Sequence, residues 1–487
     1  MTSAGKNKNT RRGKNGHRQK ERRSNREFAV VTYLFLFLFA AMVIYFVWFL
    51  TFRAESILSN SYNTRLSVYA EQVVRGSILA EDGTVLAYTS VDEDGNETRV
   101  YPYGSQFAHV VGYTSNGSAG IESLAAYYLL RSNESTATQI LNDLSGNKDN
   151  GDSVVTTLNV DVQTAAAQAL GSYYGAVVVL DPQTGAILAM VSSPGYDPNT
   201  IEEDYDTYAD SDSTSSILVN RATQGLYAPG STFKIFAALE YLEEHNYVDS
   251  FSFTCTGSYD GGSQTISCAG GTSHGELNLT TAFAASCNGA FSDIGLSMDL
   301  EDYIELVNSC LFGSDLPCDF SYNESSFSLT ADAGSSTIMQ TVIGQGETLM
   351  TPYHMALLAA AIANDGVLMT PYVMDHTENA DGDTVLTFET GVEYGTLFTE
   401  TQACALQELM TAVVSYGTGS TLSGKHYSVA GKTGTAQYGD GSSAHGWFMG
   451  YASDGDDTIA IAVLVEDAGS GTVAVSVTQA VLDAYFN

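Results

Sequence analysis

Positive charge is scarce along most of this chain. Ten of its 20 Lys and Arg crowd into the first 26 residues and only ten lie beyond residue 52, where 54 of the 56 acidic residues are found. Ten bases against 54 acids leave that stretch at a net charge of −44. Such a surface keeps a protein soluble and repels polyanions, which argues against nucleic acid as a partner. Metal-binding spacing is also missing: the six cysteines include no Cys-x-x-Cys pair, and no His-Glu-x-x-His run occurs. No metal and no cofactor is therefore expected. A third absence is local. Phe28 to Phe52 contains neither charge nor proline, and its 25 residues exceed the roughly 20 that a helix needs to cross a bilayer.

These absences divide the chain. Residues 1–27 read as a disordered basic tail, 28–52 as a transmembrane helix, 53–150 as a pedestal domain and 151–487 as the main domain. Basic residues on the N-terminal side of the span place the tail in the cytoplasm and the rest outside the cell membrane. A cleaved signal peptide is the rival, but its apolar core runs only about 7–15 residues and ends in small residues; Thr51-Phe52-Arg53-Ala54-Glu55 does not fit that pattern. Outside the cell, disulfides become plausible. Cys255 and Cys268 flank a Gly, Ser and Asp-rich stretch, and Cys310 and Cys318 flank Phe312-Gly313-Ser314-Asp315, so a local bridge is plausible at each, although spacing cannot fix connectivity.

The pedestal shows short strand-like runs at 76–79 and 85–88 around a turn at Glu81-Asp82-Gly83, then a helical run over 120–131. In the main domain, 154–158 predicts a strand and 161–170 a helix. The apolar runs 176–180 and 187–191 form a hairpin around Asp181-Pro182-Gln183-Thr184-Gly185. Residues 446–451 and 458–465 predict two more strands, and 473–485 a closing helix. Strands at both ends with helices between imply an α/β layer fold whose sheet is closed by segments far apart in sequence. The acidic run 202–216 reads as a solvated loop.

Two of the rare lysines sit in short patterns: Ser231-Thr232-Phe233-Lys234, Ser286-Cys287-Asn288 and Lys432-Thr433-Gly434-Thr435. Pro229-Gly230 breaks the chain before Ser231, which opens an apolar helical run, so Ser231 and Lys234 fall one turn apart on one face. A serine hydroxyl is a weak nucleophile until a base takes its proton, and a neutral lysine can do so. The helix N-terminus offers an N–H to a developing oxyanion. The bland alternative, a capping serine with a solvent-facing lysine, would suffice for this pattern alone. Ser286 adds a hydroxyl able to relay protons, and Asn288 an amide able to hold a peptide carbonyl. Gly431 and Gly434 bracket the third pattern as expected for a strand that a substrate approaches closely. Its Lys432 and Thr433 can bind a carboxylate, and the Thr435 N–H can give a second oxyanion donor. Together the patterns point to acyl transfer through a serine ester.

At this point the chain resembles the class B penicillin-binding proteins. The resemblance covers nearly everything after residue 27. It extends to Asn220-Arg221-Ala222, Tyr227-Ala228-Pro229-Gly230, Gly344-Gln345-Gly346 with Thr351-Pro352, Gly417-Thr418-Gly419 and His445-Gly446-Trp447-Phe448. In the pedestal it extends to Arg75-Gly76-Ser77-Ile78, His109 with Gly112-Tyr113, and Gly120-Ile121-Glu122. It implies a serine β-lactamase-like transpeptidase domain, a sheet flanked by helices, on an elongated α+β pedestal with one transmembrane helix. It also implies a peptidoglycan D,D-transpeptidase: Ser231 attacks the D-Ala-D-Ala end of a stem peptide, Lys234 takes its proton and Ser286 passes protons on. Asn288 then holds the substrate backbone, Lys432 and Thr433 bind its carboxylate, and the N–H groups of Ser231 and Thr435 stabilise the oxyanion. β-Lactams should acylate Ser231, and a glycan polymerase of the SEDS type is the implied partner. Ala80-Glu81-Asp82-Gly83 departs from the family's first pedestal motif, where a basic residue and an asparagine usually follow the acid.

Lys234 must be neutral to act, while a free lysine titrates near ~10.4. The acidic surface opposes this, but exposed charges are screened over about 8 Å, whereas burial and Lys432 act at contact range. A desolvated Lys234 is therefore expected. Rival readings are a β-lactamase, which needs a water-activating glutamate for which Glu301 and Glu305 are the nearby candidates, a β-lactam-binding sensor, and an inactive cell-wall scaffold. A sensor needs an internal signalling domain, for which residues 1–27 are too short.

Overall fold

The computed structural model describes residue 2 and residues 13–52, 69–209, 216–438 and 443–487. It separates into residues 1–63 and 64–487. The first unit is helix α1 (Gly13–Phe52). Its apolar part, Phe28–Phe49, has a mean hydropathy of 2.6 and is long and apolar enough to cross a membrane. Phe35, Leu36 and Phe37 are exposed, and an apolar surface of this length suits the core of a bilayer. The helix starts inside the basic segment, which is therefore ordered from Gly13 on rather than disordered as expected. Lys, Arg, Gln and Glu are good helix formers, and extending an existing helix avoids the cost of nucleation. The expected non-cleavage signature at 51–55 lies largely outside the described residues, as does the start of the pedestal to residue 68.

In the second unit a six-stranded sheet runs, in spatial order, Thr384–Thr387, Met374–Glu378, Ser153–Thr156, Ile78–Leu79, Val85–Val91 and Glu97–Val100. Ile78–Leu79 lies parallel to Val154–Val155, so strands from both sides of residue 150 share one sheet. A two-residue strand cannot stand alone and gains its stability from such neighbours. The helical run 120–131 forms as two short pieces, Gly120–Leu124 and Ala126–Leu129. Between them and the sheet, Glu122 is fully buried and accepts from Arg75 Nε and Arg99 Nε, both at 2.7 Å. Burial works against its ionisation, but the two guanidiniums outweigh that and hold its carboxyl below the usual range. Glu81, in the departing pedestal motif, accepts from Asn159 Nδ2. Asn159 Oδ1 in turn caps the next helix through Val162 N at 2.9 Å, so this motif does make a polar contact with the main domain.

A five-stranded antiparallel sheet forms the centre of the main domain. Its strands are β1 (Gly175–Leu180), β2 (Ile187–Ser193), β3 (Ser428–Tyr438), β4 (Ser443–Asp454) and β5 (Asp457–Val465), in the spatial order β3-β4-β5-β1-β2. The join between β5 and β1, with Ala460 opposite Leu180 and Val465 opposite Gly175, is the long-range closure predicted from the sequence. Every residue of β1 and β2 is buried, because helices cover both faces; that is why these strands read as apolar runs rather than alternations. The relevant helices are, in chain order, α2 (Val160–Leu170), α3 (Lys234–Glu244), α4 (Leu279–Ala284), α5 (Asn288–Ser297), α6 (Pro352–Ala363), α7 (Glu400–Tyr416) and α8 (Gly471–Phe486). Helices α2 and α8 pack on one face with Val177, Val179, Ile461 and Val463. Helix α6 fills the other beside Val178, Ala462 and Leu464.

Two expectations fail here. The acidic run 202–216 is not all loop: Ile201–Ala209 is helical, with Glu202, Glu203 and Asp204 in its first turn, where the positive end of the helix dipole favours carboxylates. Residues 210–215 lie outside the described residues. Neither local disulfide is formed, and all six cysteines are free thiols. Cys310 Sγ contacts Leu397 O, while Cys255 and Cys268 keep their sulfurs 3.7 Å apart.

Candidate active site

The first pattern begins in a tight spot. Gly230 N donates to Gly344 O at 2.8 Å, and a Cβ on Gly344, which has φ +73°, would meet Gly230 O at 1.9 Å. Glycine is thus required at 344 for the chain to pass beneath the nucleophile. Residues Gly230–Phe233 form one 3₁₀ turn that runs into α3 at Lys234. This sends the Lys234 side chain back along Ser231, with Nζ 3.0 Å from Ser231 Oγ.

The second pattern is a kink between two helices. Helix α4 ends, Ser286 adopts φ +54°, and Cys287 caps α5 by accepting from Ala290 N. Left-handed backbone is strained for a serine. Here it turns the Ser286 hydroxyl toward two amines: Lys234 Nζ at 3.3 Å and Lys432 Nζ at 3.0 Å. Lys234 Nζ also lies 2.9 Å from Ser286 O and 2.7 Å from Asn288 Oδ1. Both of those can only accept. A neutral amine has two N–H groups for them and keeps its lone pair for the Ser231 hydroxyl, which is the arrangement a general base needs.

Lys234 and Lys432 are both fully buried. Burial lowers Lys234 to about 7. Burial, with Lys234 close by, lowers Lys432 well below the ordinary lysine value. The desolvation expected from the sequence is present, against the pull of the acidic surface. Asn288 is partly committed inside the protein: one of its amide N–H groups donates to Ser267 O at 2.9 Å, leaving the other for a ligand.

The third pattern lies on β3, an edge strand of the five-stranded sheet. Gly434 and Thr435 run past Pro229-Gly230 so closely that a Cβ on Gly434 would sit 3.0 Å from Pro229 O. Trp447 on β4, opposite Gly434, ties the same segment down by donating to Ala228 O at 3.0 Å. Thr433 Oγ1 lies 2.5 Å from Thr418 Oγ1, making a pair of hydroxyls. Thr418 was visible in the sequence only as the middle of Gly417-Thr418-Gly419; a hydroxyl between two glycines carries no signal of its own.

Ser231, Ser286, Asn288, Thr418, Thr433 and Thr435 face one open cleft of about 1050 Å³. Among the described residues no Asp or Glu lines it, and Glu301 and Glu305 are exposed elsewhere. A water-activating carboxylate of the β-lactamase kind is thus absent from the described wall. No local metal-binding motif is present in the sequence, yet the ligand atoms of Cys255, Cys268, His274 and Cys287 lie within 4.8 Å of one another. Folding assembles them from positions too widely spaced in sequence to form a motif.

Two family models match the chain: a penicillin binding protein transpeptidase domain over residues 175–483 and a penicillin binding protein A dimerisation domain over residues 75–154. It is 34% identical over 449 residues to a peptidoglycan D,D-transpeptidase PbpA of Mycolicibacterium smegmatis, covering 86% of this chain and 89% of the relative. Among solved structures it is similar to a D,D-transpeptidase domain from Eggerthella lenta (TM-score 0.73, 31% identity, 84% of this chain and 97% of the other). It is also similar to penicillin-binding protein A of Mycobacterium tuberculosis as its ceftriaxone acyl-enzyme (TM-score 0.76, 28% identity, 87% and 100%).

Proposed function

This chain belongs to the penicillin-binding transpeptidases, and on that premise we propose how its residues divide the work of a serine D,D-transpeptidase that cross-links peptidoglycan stem peptides and is acylated by β-lactams. Ser231 Oγ attacks the carbonyl between the two D-alanines, and its proton passes to neutral Lys234. The new ester bond forms as the C–N bond breaks, and D-alanine leaves with the proton relayed through Ser286. An amine of a neighbouring stem peptide then displaces Ser231. Lys432 with Thr433 and Thr418 binds the terminal carboxylate, Gly434 lets the backbone come close, and Asn288 steadies both Lys234 and the substrate. The N–H groups of Ser231 and Thr435 serve the oxyanion.

The observation that carries this reading is the chain of contacts Ser231–Lys234–Ser286–Lys432, every link at 3.3 Å or less. The cleft's lack of a described carboxylate favours transfer to an amine, because no described Asp or Glu is placed there to activate water against the acyl-enzyme. Fluorescent penicillin tests it: the chain should be labelled covalently and Ser231→Ala should not, while stable labelling of that variant would refute the assignment.

The apolar part of α1 anchors the chain in the cell membrane, with the basic segment in the cytoplasm and residues 53–487 outside, 53–150 serving as pedestal and 151–487 as the catalytic domain. A SEDS-type polymerase is the proposed partner of the span and pedestal. Cross-linking the two in membranes, and protease access to the catalytic domain in intact cells stripped of wall, check these assignments.

A further inference from the structure

Cys255, Cys268, His274 and Cys287 form a cluster that the reaction does not use. Cys268 Sγ is 3.7 Å from both Cys255 Sγ and Cys287 Sγ, and His274 Nδ1 is 3.3 Å from Cys255 Sγ. Two sulfurs each about 2.3 Å from a tetrahedral zinc lie ~3.8 Å apart, and a sulfur and a nitrogen ~3.6 Å. Three of the six separations are thus close to a tetrahedron's edges, and all four ligand atoms lie within 4.8 Å of one another. All three sulfurs are buried and His274 is half-buried.

The backbone brings the four groups together from separate elements. Cys255 ends the strand Phe253–Cys255 and pairs with Gly275, which places His274 beside it. Cys268 directly follows the strand Thr265–Ser267, and Cys287 caps α5. The excursion over 253–277 is built from three-residue strands, too short to hold a fold by pairing alone, and segments of this kind use a staple. The surroundings suit sulfur ligands. Ala290 N donates to Cys287 Sγ at 3.4 Å. Such a donor orients and stabilises a metal-bound thiolate.

We propose that Cys255, Cys268, Cys287 and His274 Nδ1 hold one zinc ion that pins the Ser286-Cys287-Asn288 turn against the wall of the cleft. Three thiolates and an imidazole select a thiophilic tetrahedral ion over calcium or magnesium. Four protein ligands leave no open position, so the ion is structural. Cys287 lies between the relay hydroxyl of Ser286 and the amide of Asn288, and the strained backbone at Ser286 needs an outside constraint to persist. A second tie runs from Asn288 Nδ2 to Ser267 O, next to Cys268. The four ligands are therefore positioning residues. Binding of the ion stands apart from the transpeptidase reading, whereas its effect on acylation rests on that reading.

The experiment uses the full chain purified in detergent. Metal analysis after dialysis against a weak chelator should find one zinc per chain, and cobalt exchanged into the site should give thiolate-to-cobalt charge-transfer bands with tetrahedral d–d absorption. Cys268→Ser should lose both. His274→Ala, at a half-buried position with little risk to folding, should bind zinc at least tenfold more weakly. Stripping zinc with a strong chelator should slow fluorescent-penicillin acylation at least tenfold without changing far-ultraviolet circular dichroism, and adding zinc should restore it. Zinc content equal to that of Cys268→Ser, or buried thiols that react with a thiol reagent equally fast with and without zinc, would overturn the site. An acylation rate indifferent to stripping would overturn its positioning role. Zinc-loaded protein that penicillin never labels would count against the transpeptidase reading, leaving the metal result to be read by itself.

Discussion

Lowering the pH through neutrality should switch off acylation of Ser231, because Lys234 is a base only without its proton. Burial takes that lysine from 10.5 to about 7. At about pH 7.4 a lysine with the ordinary value is neutral in roughly one molecule in 10³, whereas one titrating near 7 is neutral in roughly seven of ten. Burial therefore raises the working base by nearly ~10³-fold. The second-order rate constant for fluorescent penicillin should climb about tenfold between pH 6 and pH 8 and then level off. Stability should move the same way: the unfolded chain binds the Lys234 proton more tightly than the folded one, so this group's contribution grows as pH rises from about 7 toward 10.5. Lys234→Arg keeps the cation but cannot release its proton, so it should abolish labelling at every pH while leaving the fold intact by circular dichroism. A rate flat from pH 6 to pH 8, or a midpoint near that of a free lysine, would refute the argument that burial creates the base.

Ser286→Ala removes the hydroxyl held by both lysines and should slow acylation by about 10²–10⁴-fold, measured by stopped-flow or timed gel labelling; a loss under fivefold would argue against a relay. Gly344→Ala would drive a Cβ into Gly230 O, so it should lower the melting temperature and cut labelling sharply; Gly346→Ala, which shares the left-handed backbone (φ +81°) but whose Cβ meets only the Gln340 side chain at 3.9 Å or more, should be milder because it lacks the clash. Glu122→Gln leaves two partly buried guanidiniums without a counter-charge and should cost up to about 3–5 kcal/mol in denaturant unfolding. The same carboxylate, held below its ordinary range, should give stability that is present above the unfolded carboxyl value and lost as pH falls through the folded one.

Much of the site was legible because its chemistry is written in short local runs. Ser231 and Lys234 are one helical turn apart, so propensity alone brings them together, and the glycines of Lys432-Thr433-Gly434-Thr435 announce a close approach before any neighbour is known. Spacing put Cys255 beside Cys268 but missed the rest of their cluster, for the opposite reason. Spacing along the chain suggested two hairpin-sized loops, but the partners of Cys255 are Cys268, His274 and Cys287, joined by a strand register and a helix cap that no local pattern encodes. The acidic run at 202–216 misled in the same way, because charge looks like loop until Ile201 finds a buried seat.

Composition and local pattern determined the apolar span, the α/β main domain, the order of the catalytic groups and the need for a desolvated lysine. Only the tertiary structure decided that Lys234 and Lys432 share one serine hydroxyl, that Asn288 spends part of its amide on the protein, and that three thiols and an imidazole meet at the wall of the cleft. Those facts depend on burial and on which atoms become neighbours when segments far apart in the chain pack together, and distance in space is the one quantity a linear text does not carry.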